Sequence, residues 1–138
     1  MSALQQDRNT KEIYCNVPAI HRVRSMGSEQ VYAGSICAVN ARGVAVPASD
    51  SAGLVVIGRC ETYLSNGKII AKSGAFVYDC SGNTNEALTE ADLNHVVYIL
   101  DDHTVGKNGG TNKIPAGVLR DIISPTEVVV EIGNLAIF

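Results

Sequence analysis

Residues 74–105 read G-A-F-V-Y-D-C-S-G-N-T-N-E-A-L-T-E-A-D-L-N-H-V-V-Y-I-L-D-D-H-T-V. Residues 74–79 are rich in β-formers, residues 81–85 are turn-formers, and residues 96–100 are apolar and β-branched or aromatic at nearly every position. Between the two β-runs, Thr89-Glu90-Ala91-Asp92 fits a capping box, in which Thr89 and Asp92 satisfy backbone N–H groups left free at the start of a helical turn. The unit is strand, polar loop, one capped turn, strand. Nothing in it is arranged for catalysis, so it predicts a compact β-scaffold whose function resides on a surface.

The same grammar extends outward. Downstream, residues 101–113 form a polar, Gly-rich loop, and residues 115–123 and 127–132 make a hairpin turned by Ser124-Pro125-Thr126. Upstream, residues 54–64 form a long strand bent at Gly58, and residues 68–72 its return. Asn66-Gly67 joins them, since both residues tolerate the positive φ of a type I′ turn. Shorter β-segments occupy residues 31–40, broken by Gly34, and residues 44–47. Residues 12–17 predict a short strand ending at Pro18, and residues 20–24 an extended edge or arm. No window sustains a 3.6-residue apolar period. The chain therefore predicts an all-β fold, a small β-barrel or β-sandwich with one short helical turn and an extended N-terminal arm. The expected boundaries are residues 1–28 for the arm and 29–138 for a single domain.

Composition narrows the function. The chain has 138 residues, enough for one domain with a respectable core, and its 46% hydrophobic and 18% charged residues are an ordinary globular balance. The net charge of −3 argues against nucleic acid as the main partner, because phosphate binding needs clustered Lys and Arg. Residues 1–24 hold four cations (Arg8, Lys11, Arg22, Arg24) against Asp7 and Glu12, a balance of +2 that leaves −5 elsewhere. A solvated tail is the plainer reading of that asymmetry; a basic arm that seeks an acidic surface is the sharper one. The first eleven residues lack the apolar middle of a secretory leader, and no apolar run approaches the roughly 18 residues needed to cross a bilayer. A cytosolic, membrane-free chain is expected, with Cys15, Cys37, Cys60 and Cys80 reduced and Cys37 a small buried apolar residue.

The ionisable constellations are weak. Asp101-Asp102-His103 is the densest, but three consecutive residues on an extended chain point in different directions and mark a strand exit. A hydrolase would need that loop to meet His95 or Asp79 in a cleft. Asp79, Ser81, Asn83, Asn85 and Glu90 fall at calcium-loop positions 1, 3, 5, 7 and 12, yet position 6 is Thr84 rather than Gly and a strand precedes the loop. A turn-rich connection is the favoured reading. His21 and His95 complete no metal-ligand spacing, Ser35 lies in A-G-S-I-C rather than a nucleophile elbow, and residues 106–111 lack the G-K-[S/T] ending of a phosphate loop. No catalytic residue, metal site or cofactor is expected.

Several phrases carry a family resemblance: V-Y-A-G-S-I-C-A-V-N at residues 31–40, G-V-A-V-P-A at 43–48, G-L-V-V-I-G-R-C-E at 53–61, L-T-E-A-D-L-N-H-V-V-Y-I-L-D-D-H-T-V at 88–105, and V-V-V-E-I-G at 128–133. In this order and spacing they resemble small head proteins of tailed bacteriophages, of the capsid cement or decoration type. The resemblance implies a β-rich, non-enzymatic virion protein made in the host bacterial cytoplasm. It would bind the outer capsid surface between major capsid protein subunits and stabilise the head. It also implies a homo-oligomer, with a trimer favoured and a dimer possible. Ile20, His21, Arg22 and Arg24 are the expected capsid-facing residues, and the apolar end with Leu135, Ile137 and Phe138 a packing surface on its own domain or a neighbouring subunit. Removing residues 1–24 is expected to weaken attachment and leave the fold intact. A head–tail or tail structural protein is the nearest alternative. A small ligand-binding barrel, or a hydrolase using the Asp101-Asp102-His103 loop, is the alternative from another class.

Overall fold

The computed structural model describes residues 2–13, 18–82 and 84–133. Among these residues eleven strands make two sheets: β1 (Glu12–Ile13), β2 (His21–Ser25), β3 (Ile36–Val39), β4 (Ala45–Pro47), β5 (Val55–Leu64), β6 (Lys68–Lys72), β7 (Gly74–Cys80), β8 (Val96–Ile99), β9 (Thr104–Gly106), β10 (Pro115–Ser124) and β11 (Glu127–Ile132). The helical pieces among the described residues are two 3₁₀ turns, Ser65–Gly67 and Glu90–Asp92. Among the described residues no helix is long and apolar enough to cross a membrane.

The first sheet runs β1-β7-β11-β10-β8-β9, and a parallel β7–β9 pairing closes five of these strands into a barrel. Its strands alternate as a half-buried sheet must. Phe76, Tyr78 and Cys80 of β7 and Val128, Val130 and Ile132 of β11 point inward, while Ala75, Val77 and Val129 form a separate outer cluster with Ile13. Strand β1 extends the same edge of β7 that β9 uses, at its other end: Glu12 lies opposite Phe76, and Thr104 opposite Asp79.

The second sheet runs β2-β6-β5-β3-β4, and a parallel Met26–Ala45 bridge joins the end of β2 to β4. Both faces of β3 and of the first half of β5 carry buried residues. Ile36, Ala38 and Val56 complete the barrel core, while Cys37, Ile57, Cys60, Ile69 and Ala71 form a second core. The register shift between Cys37 and Ala38, opposite Val56 and Gly58, bends β5 where the sequence predicted. Gly58, at φ 149°, brings its Cα so close to β6 that a Cβ would lie 2.4 Å from the Lys72 carbonyl oxygen. Cys37, Cys60 and Cys80 are free and buried, as a small apolar residue is, and burial pushes the Cys60 thiol up to about 12.

Two expectations change. The Gly-rich loop of residues 101–113 contains β9, the strand that closes the barrel. Three residues paired in parallel with a strand about 25 positions earlier leave no local signature. The N-terminal residues, expected as an extended arm whose plainer reading was a solvated tail, lie along the barrel instead: Thr10 is buried, and the Arg8 N–H donates to the Ala33 carbonyl at 2.7 Å.

Candidate functional site

Strand β2 is an edge. It pairs with β6 on one side, His21 opposite Lys72 and Ser25 opposite Lys68, and beyond the Met26–Ala45 bridge at its end no strand among the described residues pairs with its other side. The Ser73 N–H donates to the Ile20 carbonyl and the Met26 N–H to the Gly67 carbonyl. By antiparallel alternation, the backbone groups of His21, Val23 and Ser25 then face away from β6. Ile20 and Val23 are 45% and 46% exposed, and His21 and Arg24 are exposed beside them. The Arg24 guanidinium donates to the Val23 carbonyl at 2.9 Å, covering one acceptor of the open edge. Lys68, on the neighbouring strand, is exposed and forms no ion pair among the described residues.

Arg22 is placed differently from its neighbours. Its guanidinium donates to the carbonyls of Ile57 (3.0 Å) and Gly133 (3.2 Å), tying β2 to the end of β11, so its charge satisfies the fold's own backbone. Leu135, Ile137 and Phe138 lie outside the described residues. Beside β2 lies an open groove of about 520 Å³, with Gln5, Asp7, Tyr32, Tyr63, Leu64 and Lys68 in its lining. Tyr63 donates to Asp7 and receives the Ala33 N–H at 2.9 Å; burial and the Asp7 bond push its phenol up to about 12.

The charges of residues 2–13 are largely answered within the chain. Arg8 lies 3.2 Å from Asp79 Oδ1 and stacks 5.3 Å from the centre of the Tyr78 ring. Glu12 lies 2.7 Å from Lys72 Nζ and 3.8 Å from Arg59, which itself sits 4.3 Å over Phe76 and donates to the Thr10 carbonyl at 2.7 Å. The basic excess of the first 24 residues is thus consumed except at Lys11 and Arg24, and Arg24 on β2 and Lys68 on β6 are exposed cations beside the open edge.

The fold does bring Asp79 to the Asp101-Asp102-His103 turn. His103 Nδ1 is 2.8 Å from Asp79 Oδ2, and Nε2 is 2.7 Å from the Ser2 carbonyl and 3.4 Å from Asp101 Oδ1. Asp102 is 1% exposed and its Oδ1 accepts the Leu4 N–H at 2.9 Å. Burial raises the Asp102 carboxyl above the usual range, against the Leu4 bond, which lowers it. Asp101, Asp102 and His103 each present one ligand atom within 4.8 Å of the others, and Asp101 Oδ2 is buried with no hydrogen-bond partner. Both ring nitrogens of His103 nevertheless face acceptors. A metal ion or a nucleophile's proton would have to displace Asp79 or the Ser2 carbonyl from this ring, and among the described residues no hydrogen bond joins the His95 side chain to it.

The remaining motifs resolve into internal ties. Asp79 of the calcium-like spacing is engaged by Arg8 and His103. Glu86 Oε1 accepts the N–H groups of Asn108 (2.7 Å) and Gly109 (3.0 Å), and Asp50 accepts those of Thr111 and Asn112, both at 2.8 Å. The Asn112 and Thr111 bonds hold the Asp50 carboxyl below its usual range, Asn112 most, against a smaller opposing burial effect. The amides that a phosphate loop would turn to a ligand are here occupied by the chain's own carboxylates. The capped turn forms as predicted, with the Thr89 N–H donating to Asp92 Oδ2 at 2.8 Å.

No protein-family model matches the chain, and no curated protein or solved structure matches it significantly. Sequence reasoning passed over Arg8, Thr10, Tyr63 and Lys68, whose roles depend on contacts with distant residues. Gly34, isolated inside a β-run, was the one local sign that another segment approaches closely there.

Proposed function

We propose that this chain is a structural virion protein of the phage-head cement type, attached to the outer capsid surface between major capsid protein subunits and made in the host cytoplasm. The resemblance names the partner class. The observation that carries the reading is the open, basic–apolar β2 edge, where exposed Ile20 and Val23 lie beside exposed His21 and Arg24. An edge strand offers main-chain hydrogen bonds to an added strand, and its side chains select the partner. Ile20 and Val23 supply apolar area, and His21, Arg24 and Lys68 favour an acidic rim on the capsid subunit. Self-association, as a trimer before a dimer, multiplies a weak contact by about 10²–10⁴ through linkage alone. Binding confined to the assembled lattice stabilises that lattice by mass action. The chain's part is then mechanical: area buried between neighbours, with no reaction, cofactor, nucleic acid or membrane involved.

The test mixes purified protein with undecorated expanded heads and images them. Density at subunit junctions is expected. Val23→Glu with Arg24→Glu should weaken occupancy by about tenfold or more, the effect of losing one good contact residue, with the circular dichroism spectrum unchanged. Bare heads at saturating wild-type protein would reject the reading. Binding to tails or connectors instead would favour the head–tail alternative.

A further inference from the structure

We propose that His103 is a protonation-controlled buckle that fastens the N-terminal segment to the barrel. The buckle is a property of the isolated chain and stands whether or not the β2 edge docks on a capsid. His103 immediately precedes β9, the strand that closes the barrel. Its Nδ1 faces Asp79 Oδ2 on β7 at 2.8 Å, and its Nε2 faces the Ser2 carbonyl at 2.7 Å. A carboxylate and a carbonyl only accept hydrogen bonds, so both contacts are made only when both nitrogens carry protons. Either neutral tautomer leaves a lone pair against an oxygen. Thr104 Oγ1, 3.2 Å from Nδ1, offers that lone pair a donor but does not remove Asp79 from it.

The charged groups around the ring favour the imidazolium. Asp79 comes from β7, Asp101 and Asp102 from the turn before β9, and Arg8 from the N-terminal segment reaches the other oxygen of Asp79 at 3.2 Å. Three carboxylates therefore surround the ring against one guanidinium. Burial lowers the affinity of the imidazole for its proton, but the Ser2 and Asp79 bonds and the charges of Asp101 and Asp79 outweigh it, and the net shift is upward.

The sign follows from that direction. A histidine whose folded pKa is raised contributes its stabilisation fully below its ordinary value of about 6.5, and loses it as pH rises through the folded value. The start of the segment is thus fastened in mild acid and released as pH rises through that folded value. Losing the Ser2 bond frees residues 2–4, and the Leu4 N–H then leaves Asp102. Residues 5–7 form one wall of the groove beside β2, and Asp7 still accepts the Ala33 N–H and the Tyr63 hydroxyl, so the release stops short of that wall.

The experiment is an NMR titration of the full chain from pH 5.5 to 9. It follows the His103 ring resonances and the hydrogen-exchange protection of the Leu4 and Arg8 amides, corrected for intrinsic rates. The His103 midpoint should lie above 6.5, and Leu4 protection should fall through the same midpoint, by about tenfold for each unit by which the pKa is raised. His103→Gln should hold Leu4 at its high-pH protection throughout, while amides of β10 and β11 stay protected. The wild-type titration decides the matter even if that variant folds poorly. Leu4 protection flat across the range, or a His103 midpoint at or below 6.5, overturns the proposal.

Discussion

Gly34 shows how one residue joins two distant parts of the chain. It sits at φ 88°, a left-handed conformation, and a Cβ there would fall 1.8 Å from the Arg8 carbonyl oxygen. Its own carbonyl accepts the Thr10 hydroxyl at 2.6 Å and the Tyr78 hydroxyl at 3.1 Å. The absence of a side chain is what lets the N-terminal segment lie flat on the sheet. Gly34→Ala should cost about 1–3 kcal/mol from the backbone conformation alone, and the clash should also lift the segment. Urea denaturation measures the first effect and the rate of tryptic cleavage after Arg8 and Lys11 the second. Cleavage as slow as in the wild type would show that the segment is held elsewhere.

At the scale of elements, the hairpin of β5 and β6 is the clearest case of local chemistry setting geometry. Asn66 and Gly67 have φ of 75° and 70°, the pairing expected of a tight turn compatible with sheet twist. Asn66→Gly should be neutral within a few tenths of a kcal/mol. Asn66→Ala should cost about 1 kcal/mol, because Ala lacks the short polar side chain by which Asn tolerates the left-handed region. In a domain of this size that is a fall in Tm of about 4 °C. Equal melting temperatures for the two variants would mean that tertiary contacts, not turn preference, hold the hairpin. The open edge of β2 belongs to the same scale. Its exposed Val23 and Ile20 are a liability that the neighbouring cations and the Arg24–Val23 contact moderate, and covering them is the simplest use for such a surface.

At the scale of the molecule, the N-terminal segment is part of the fold. It contributes β1 to the barrel sheet, buries Thr10, and places Arg8 and Glu12 against cations, carboxylates and aromatic rings of both sheets. Deleting residues 2–13 should therefore destabilise the barrel by about 3 kcal/mol or more, counting about 1 kcal/mol for each of several lost hydrogen bonds. The expectation that accompanied the resemblance, that removing residues 1–24 leaves the fold intact, gives way to this geometry. A denaturation midpoint equal to that of the full chain would restore the simple picture of an appended arm. The molecule also couples its two cores through β3, whose Ile36 and Ala38 face the barrel while Cys37 faces the second core. The barrel and the β2 edge are thereby held as one rigid piece.

Local chemistry determined most of the strands of this protein. Period-two apolar alternation, β-branched runs and the Asn66-Gly67, Gly58 and Ser124-Pro125-Thr126 signals placed β2, β5, β6, β7, β8, β10 and β11 close to where they lie, because each depends on residues a few positions apart. The capped turn at Thr89 was legible for the same reason. Tertiary structure alone decided the closure of the barrel by β9, the clasp of residues 2–13, and the meeting of His103 with Asp79 and Ser2. Those contacts join residues from about 24 to about 100 positions apart, and their stabilisation appears only after the chain has been brought together, so no short window of sequence carries their mark.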